Sequence, residues 1–237
     1  MGMHFKLGLY EHQSAGAIQA VINMLKQEGS ALLAGGADSI EKIRITAYEP
    51  AFGIIGDPAK RNPKTRQSAD HSMVYIISTL IRKAFDKVEA INNAKDYEDL
   101  WKALMLTPKD YGKDAIFNET TRKIMSKIEF THGGVEYDSK YPEGIPTSME
   151  LKTTSGKTLD SGLVMFPGGH ARCENISAKE VLYHKFVVLG KLGLEKHELQ
   201  RFMINLANIG EMTNEDLQDI YDCNIKFAEE PIDDLTH

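Results

Sequence analysis

The sequence predicts an α+β fold: a region with a small mixed or antiparallel sheet and flanking helices, followed by a C-terminal helical segment. Three observations predict it. Lys42–Tyr48 alternates apolar Ile43, Ile45 and Ala47 with polar Lys42, Arg44 and Thr46, the period of a half-buried strand. Ile18, Val21, Ile22 and Leu25, then Met73, Ile76, Ile77, Leu80, Ala84 and Phe85, recur at helical spacing. Beyond about residue 175 the strand signals stop and only helical periodicity remains up to residue 237.

In chain order, the first helix runs from Gln13 to Glu28 and stops at Gly29, and Gly35-Gly36 marks a loop before the Lys42–Tyr48 strand. A polar loop from Asp57 to Gln67 follows, interrupted by Pro58 and Pro63. One long helix is expected from Ala69 to Val88, with shorter ones in Tyr97–Leu104 and Ala115–Met125. Lys127–Thr131 reads as a strand. Met149–Thr153 and Leu159–Met165 read as a hairpin turning at Ser155-Gly156, with Met149, Leu151, Leu159, Leu163 and Met165 inward. Ser177 and Glu180 fit a capping box opening a helix that turns Leu182, Phe186 and Leu189 inward. Helices carrying Leu199, Phe202, Met203, Leu206 and Ile209, then Leu217, Ile220 and Tyr221, complete the tail. Three amphipathic helices of about 12–15 residues are marginal alone, so the tail is expected to pack on another surface.

Composition narrows the function classes. Hydrophobic residues make up 42% and charged residues 26% of 237 residues, values of an ordinary globular protein. A net charge of −6 gives no general attraction to nucleic acid or to an anionic membrane. No apolar run approaches a membrane span, and Met1–Lys6 is too short and polar for a signal peptide. Cys173 and Cys223 cannot by themselves build a four-cysteine metal or cluster site. No Walker loop, dinucleotide fingerprint, zinc spacing or nucleophile elbow is present. The expectation is a chain of the cytosol or mitochondrial matrix with no metal and no cofactor.

Three segments carry chemistry-bearing side chains. In Phe5–Ala15, Lys6 can pair with a carboxylate and His12 can transfer a proton; equally, His12 and Ser14 meet the requirements of a helix cap. In Asp57–Ser72, Lys60, Arg61, Lys64 and Arg66 place four cations in seven residues ahead of Asp70-His71. Such a run holds a polycarboxylate, Arg66 in a bidentate manner, or forms a solvated basic loop with an ordinary N-cap. No aromatic residues interleave the cations, which argues against a nucleic-acid surface. In Phe166–Arg172, Gly168-Gly169 permits a sharp turn or close approach of backbone to a ligand, and His170 with Arg172 can meet an anion or sit on the surface. His4, His132, His184, His197 and His237 have no partner at recognisable spacing.

Taken in order, these segments resemble the MmgE/PrpD family, which includes 2-methylcitrate dehydratase. Asp57–Tyr75, DPAKRNPKTRQSADHSMVY, is similar to that family's Asp-Pro…Asn-Pro-x-Thr-Arg-x-x-Ala-Asp-His-Ser-x-x-Tyr stretch. FKLGLYEHQSA resembles its lysine-then-histidine segment before a long helix, and Pro-Gly-Gly-His-Ala-Arg its Gly-His-x-Arg element. The resemblance implies that residues 1–175 are an α+β lid domain and 176–237 are helices that close an all-helical domain, most of which would lie in an absent N-terminal portion. It implies metal-free dehydration of a small tricarboxylate, or the related decarboxylation of cis-aconitate or epimerisation of an imino-dicarboxylate. It assigns catalysis to Lys6 and His12, with Lys60, Arg66, His71, His170 and Arg172 as substrate-binding candidates. A small polycarboxylate, an N-terminal helical subunit and a second copy in a homodimer are the partners it implies. Without that portion the chain would be incomplete as an enzyme, or would serve as a stand-alone polycarboxylate-binding or regulatory module. Two places depart from the family pattern: Arg61, where an aromatic is common, and Arg82-Lys83, where small or acidic residues are.

Overall fold

The computed structural model describes residues 3–29 and 33–227; His237 lies outside them. The sheet is mixed and four-stranded, in the order β2-β1-β3-β4. Its strands are β1 (Ile40–Ala47), β2 (Ile128–His132), β3 (Thr147–Thr153) and β4 (Thr158–Asp160). β1 pairs parallel with β2, and the remaining pairs are antiparallel. Register places Ile43 beside Ile128 and Leu151, and Ile45 beside Phe130 and Met149. The apolar face so formed is covered by α1 (Ala15–Glu28), with α3 (Met73–Asp86) packed against α1. The opposite face carries ion pairs, Lys42 with Glu129 at 2.6 Å and Arg44 with Glu150 at 3.0 Å. This is the polar-out, apolar-in pattern of a sheet solvated on one side. Gly29, at φ 54°, ends α1 where the sequence expects the stop.

The helix expected over Ala69–Val88 is three helices. α2 (Arg66–Asp70) opens on a Thr65–Ser68 capping box, and α4 (Val88–Asn92) follows α3. The break falls at Ser72, whose backbone is extended (φ −117°, ψ 104°) and whose Oγ accepts from Tyr75 N–H while donating to Lys60 O at 2.7 Å. One hydroxyl therefore caps α3 and fastens the basic loop to it. α5 (Tyr97–Leu104) appears as expected, whereas Ala115–Met125 divides into α6 (Lys113–Ile116) and α7 (Glu119–Met125), with Asn118 capping the second. A short α8 (Gly134–Asp138) follows β2.

The hairpin also departs from strict alternation. Ser161 bonds the Met149 backbone in both directions, and Gly162 (φ 67°) then bends the chain. Parity shifts by one residue, so Val164 is buried and bridges Thr147 while Leu163 is exposed.

In the tail, α9 (Ala178–Gly190) docks on α5. Lys102 pairs with Glu180 at 3.0 Å, and Glu98 accepts from Ser177 N–H. Ser177 caps the helix, but the expected capping-box partner Glu180 is drawn to Lys102 instead. Phe186, expected inward, is exposed, and only Val181 of α9 is fully buried. α10 (Lys196–Ala207) and α11 (Asn214–Asp219) follow, leaving Ile204 61% and Tyr221 75% exposed. No helix among the described residues is long and apolar enough to cross a membrane.

Candidate functional site

The segment before α1 is a strap fixed at several points. Phe5 N–H donates to Gly169 O at 2.9 Å and Ala171 N–H to Met3 O at 2.8 Å. Leu7 N–H donates to the buried Tyr10 hydroxyl at 2.9 Å, and Tyr111 donates its hydroxyl proton to Leu9 O. Short backbone pairing thus holds an otherwise irregular stretch and presents Lys6 at the rim of a cleft.

That cleft has a volume of about 790 Å³, and Lys6, Lys64, Arg66, Lys113 and Lys185 line it. Asp70 is the one carboxylate among the described residues of its lining; Tyr10, Tyr111 and Phe117 give it apolar wall. These cations come from the strap, the loop before α2, α2 itself, α6 and α9. Their assembly is a tertiary event, and a concave site with converging like charges favours an anion.

Arg122, on α7, holds two of these walls. Its Nε donates to Ile116 O at 2.8 Å, one Nη to Asn62 Oδ1 at 2.8 Å and the other to Pro63 O at 2.5 Å. Its guanidinium also lies 5.3 Å from the Phe117 ring centroid. The Arg82-Lys83 departure is structural: Lys83 Nζ lies 2.7 Å from the buried Asp110, and Arg82 pairs with Asp86. Arg61 sits over Phe130, 5.6 Å from its centroid.

A second cluster forms at the strap, outside the cleft lining. His4 and His12 have ring centroids 4.5 Å apart, and His4 and His170 5.7 Å apart. Both ring nitrogens of His4 are buried, with the Gly168 backbone the polar group that acts on the ring. Burial, then the neighbouring His12 and His170, hold the His4 pKa down at about 4. Burial first, then Lys6, lowers that of His12; burial, then Arg172, lowers that of His170. The cluster is therefore neutral near pH 7. Arg172 N–H donates to His170 Nδ1 at 3.1 Å, so the neutral ring carries its proton on Nε2.

Of the residues named from sequence, Lys6 and Arg66 meet in the cleft, and His12 and His170 meet in the histidine cluster. Arg172 is paired with Glu143 and lies over Phe166. Lys60 and His71 are outside the cleft lining. His71 Nδ1 is 3.0 Å from Gln67 O but 3.8 Å from Asp70, so the carbonyl, not the adjacent carboxylate, orients the ring. His4, read as unpartnered, joins the cluster through its bridge to His170. His132, also read as unpartnered, lies 2.9 Å from Asp138. Lys113, Arg122 and Lys185 were not singled out; the only trace of Lys185 is its place beside the Val181–Leu182–Leu189 stripe of α9.

Compared with known proteins, the chain matches the sequence profile of the MmgE/PrpD C-terminal domain over residues 10–209. No curated protein matches it.

Proposed function

Because the chain belongs to the MmgE/PrpD family, we propose that it is the C-terminal portion of a metal-free lyase that dehydrates a small tricarboxylate such as 2-methylcitrate. The observation that carries this reading is the cleft in which five cations face one carboxylate. A tricarboxylate brings complementary charge and fits easily in about 790 Å³.

Dehydration requires a base for the proton alpha to a carboxylate, an acid for the departing hydroxyl, and cations for the enolate-like charge between them. His12, kept neutral by burial and by the Lys6 charge, suits proton acceptance. Lys6 suits clamping a carboxylate at the cleft rim, and Arg66 a second one from α2. Lys60, His71, His170 and Arg172, the other substrate-binding candidates, are outside the cleft lining and would reach a ligand only beyond it. The same neutral base beside a carboxylate clamp serves decarboxylation of cis-aconitate or epimerisation of an imino-dicarboxylate, so the cleft leaves the choice among these reactions to the missing partner groups.

The cleft is open, and water competes for each charge contact there. Residues of the tail such as Phe186, Ile204 and Tyr221 are exposed. We therefore assign them to contact with an N-terminal helical portion or subunit, which completes the catalytic centre, in an enzyme that assembles as a homodimer. The alternative, a polycarboxylate-binding or regulatory module without catalysis, draws on the same open cleft.

Dehydration of 2-methylcitrate is measured with this chain alone and with a helical N-terminal half co-expressed. Turnover only in the second case is expected. Turnover by the chain alone overturns the claim of incompleteness, and binding of citrate without turnover in either case favours the module. No heat with citrate at millimolar concentration overturns both.

A further inference from the structure

We propose that Lys185, carried by α9, forms with Lys6 a two-lysine subsite that takes one carboxylate group of the cleft's ligand directly, so that the C-terminal helices contribute a binding residue. The proposal deepens the polycarboxylate reading and rests on it.

The geometry is specific. Lys185 Nζ donates to the Lys6 backbone carbonyl at 2.7 Å while its side chain lines the cleft. An ammonium carries three N–H donors; one is spent on that carbonyl, which leaves two for the cleft. The bond also joins residues 179 positions apart in sequence, tying α9 to the strap that presents Lys6. Burial and the Lys6 charge both disfavour the protonated form of Lys185, and no carboxylate is among the groups acting on it. Lys6 acts on Glu11, which also accepts the Gln13 N–H at 2.9 Å, whereas Lys185 has no such acidic neighbour acting on it. Two ammonium groups are thus brought together at a concave surface with their mutual repulsion unrelieved by an acid of α9. An anionic ligand bridging them relieves it and meets N–H donors already fixed in place.

α9 is held where this requires. Glu180 pairs with Lys102, and Glu98 accepts from Ser177 N–H, both on the α5 side of the helix. Loss of the Lys185 ammonium removes the one exposed hydrogen bond to the strap but leaves these contacts to α5 in place, so a binding defect is separable from a folding defect.

The full chain is titrated with citrate by calorimetry as wild type, Lys185→Met and Lys185→Arg, with thermal unfolding of each. Direct contact predicts that Lys185→Met weakens citrate about tenfold or more, the loss of a charge-assisted contact, with an unfolding temperature lowered by no more than the loss of one exposed hydrogen bond, and that Lys185→Arg recovers part of the affinity. Wild-type affinity in Lys185→Met overturns the subsite while leaving the cleft reading standing; absence of citrate binding by the wild type overturns both. The wild-type protein supplies a second measurement that needs no folded variant. Lysine acetylation read by mass spectrometry is expected to slow at Lys6 and Lys185 together when citrate is present. Protection of Lys6 with none at Lys185 overturns direct contact even if Lys185→Met fails to fold.

Discussion

Replacing Arg122 by methionine separates the scaffold of the cleft from its lining. Three hydrogen bonds are lost at once, to Ile116 O, Asn62 Oδ1 and Pro63 O, together with the contact over Phe117. The Asn62 contact is exposed and contributes little; the two carbonyl contacts are partly buried, at about 1 kcal/mol or somewhat more each. The cation–π contact adds roughly 0.5 kcal/mol. The expected loss is about 2–3 kcal/mol, read from urea unfolding followed by fluorescence of the one tryptophan, Trp101, which is 2% exposed. Thermal unfolding is expected to fall by roughly 5–10 °C. The same change frees the loop carrying Lys64, which leads into Arg66 at the start of α2, and α6, which carries Lys113, so citrate affinity falls with stability. Arg122→Lys keeps the charge but cannot span three acceptors, and less than half of the loss is expected to return. A destabilisation below about 0.5 kcal/mol refutes the reasoning, since surface substitutions without such a role fall in that range.

Asp110→Ala removes the partner of Lys83 and the acceptor of the Thr107 N–H and hydroxyl, leaving Lys83, 15% exposed, with only Met105 O. A loss of about 3–5 kcal/mol in urea unfolding is expected, and Asp110→Ala combined with Lys83→Met is expected to lose less than the sum of the two single changes. Gly169→Ala places a Cβ 2.2 Å from Phe5 O at a backbone φ of 92°; about 2 kcal/mol or more is lost, and wild-type stability refutes the close approach. For pH, the folded pKa of His4 is about 4 against 6.5 when unfolded. The unfolded chain takes up the proton first as pH falls, so stability contributed by neutral His4 is full above pH 6.5 and declines from there toward pH 4. His4→Asn flattens that decline in urea unfolding between pH 7 and 4; an unchanged pH slope contradicts the buried-imidazole account.

The sequence by itself determined the local elements and the family. β1, β2 and α1 follow from periodicity because a side chain's burial in a regular element repeats with that element's own period. Asp57–Tyr75 identified the family because its prolines, caps and cations occur in a fixed order along one stretch of chain. Where single side chains decided, periodicity failed. Ser72 splits the expected long helix by bonding Lys60 O, twelve residues away, and Gly162 shifts the inward position from Leu163 to Val164. Tertiary structure alone decided the site. It brings Lys6 beside Lys185, sets His4 against His170 through backbone pairing, and hangs two cleft walls on Arg122. Each joins segments far apart in the chain, and charge or ring contacts of that kind leave no period in the sequence. Of the two residues named together from sequence, Lys6 lines the cleft, and His12, within the histidine cluster, lies near enough to feel the Lys6 charge.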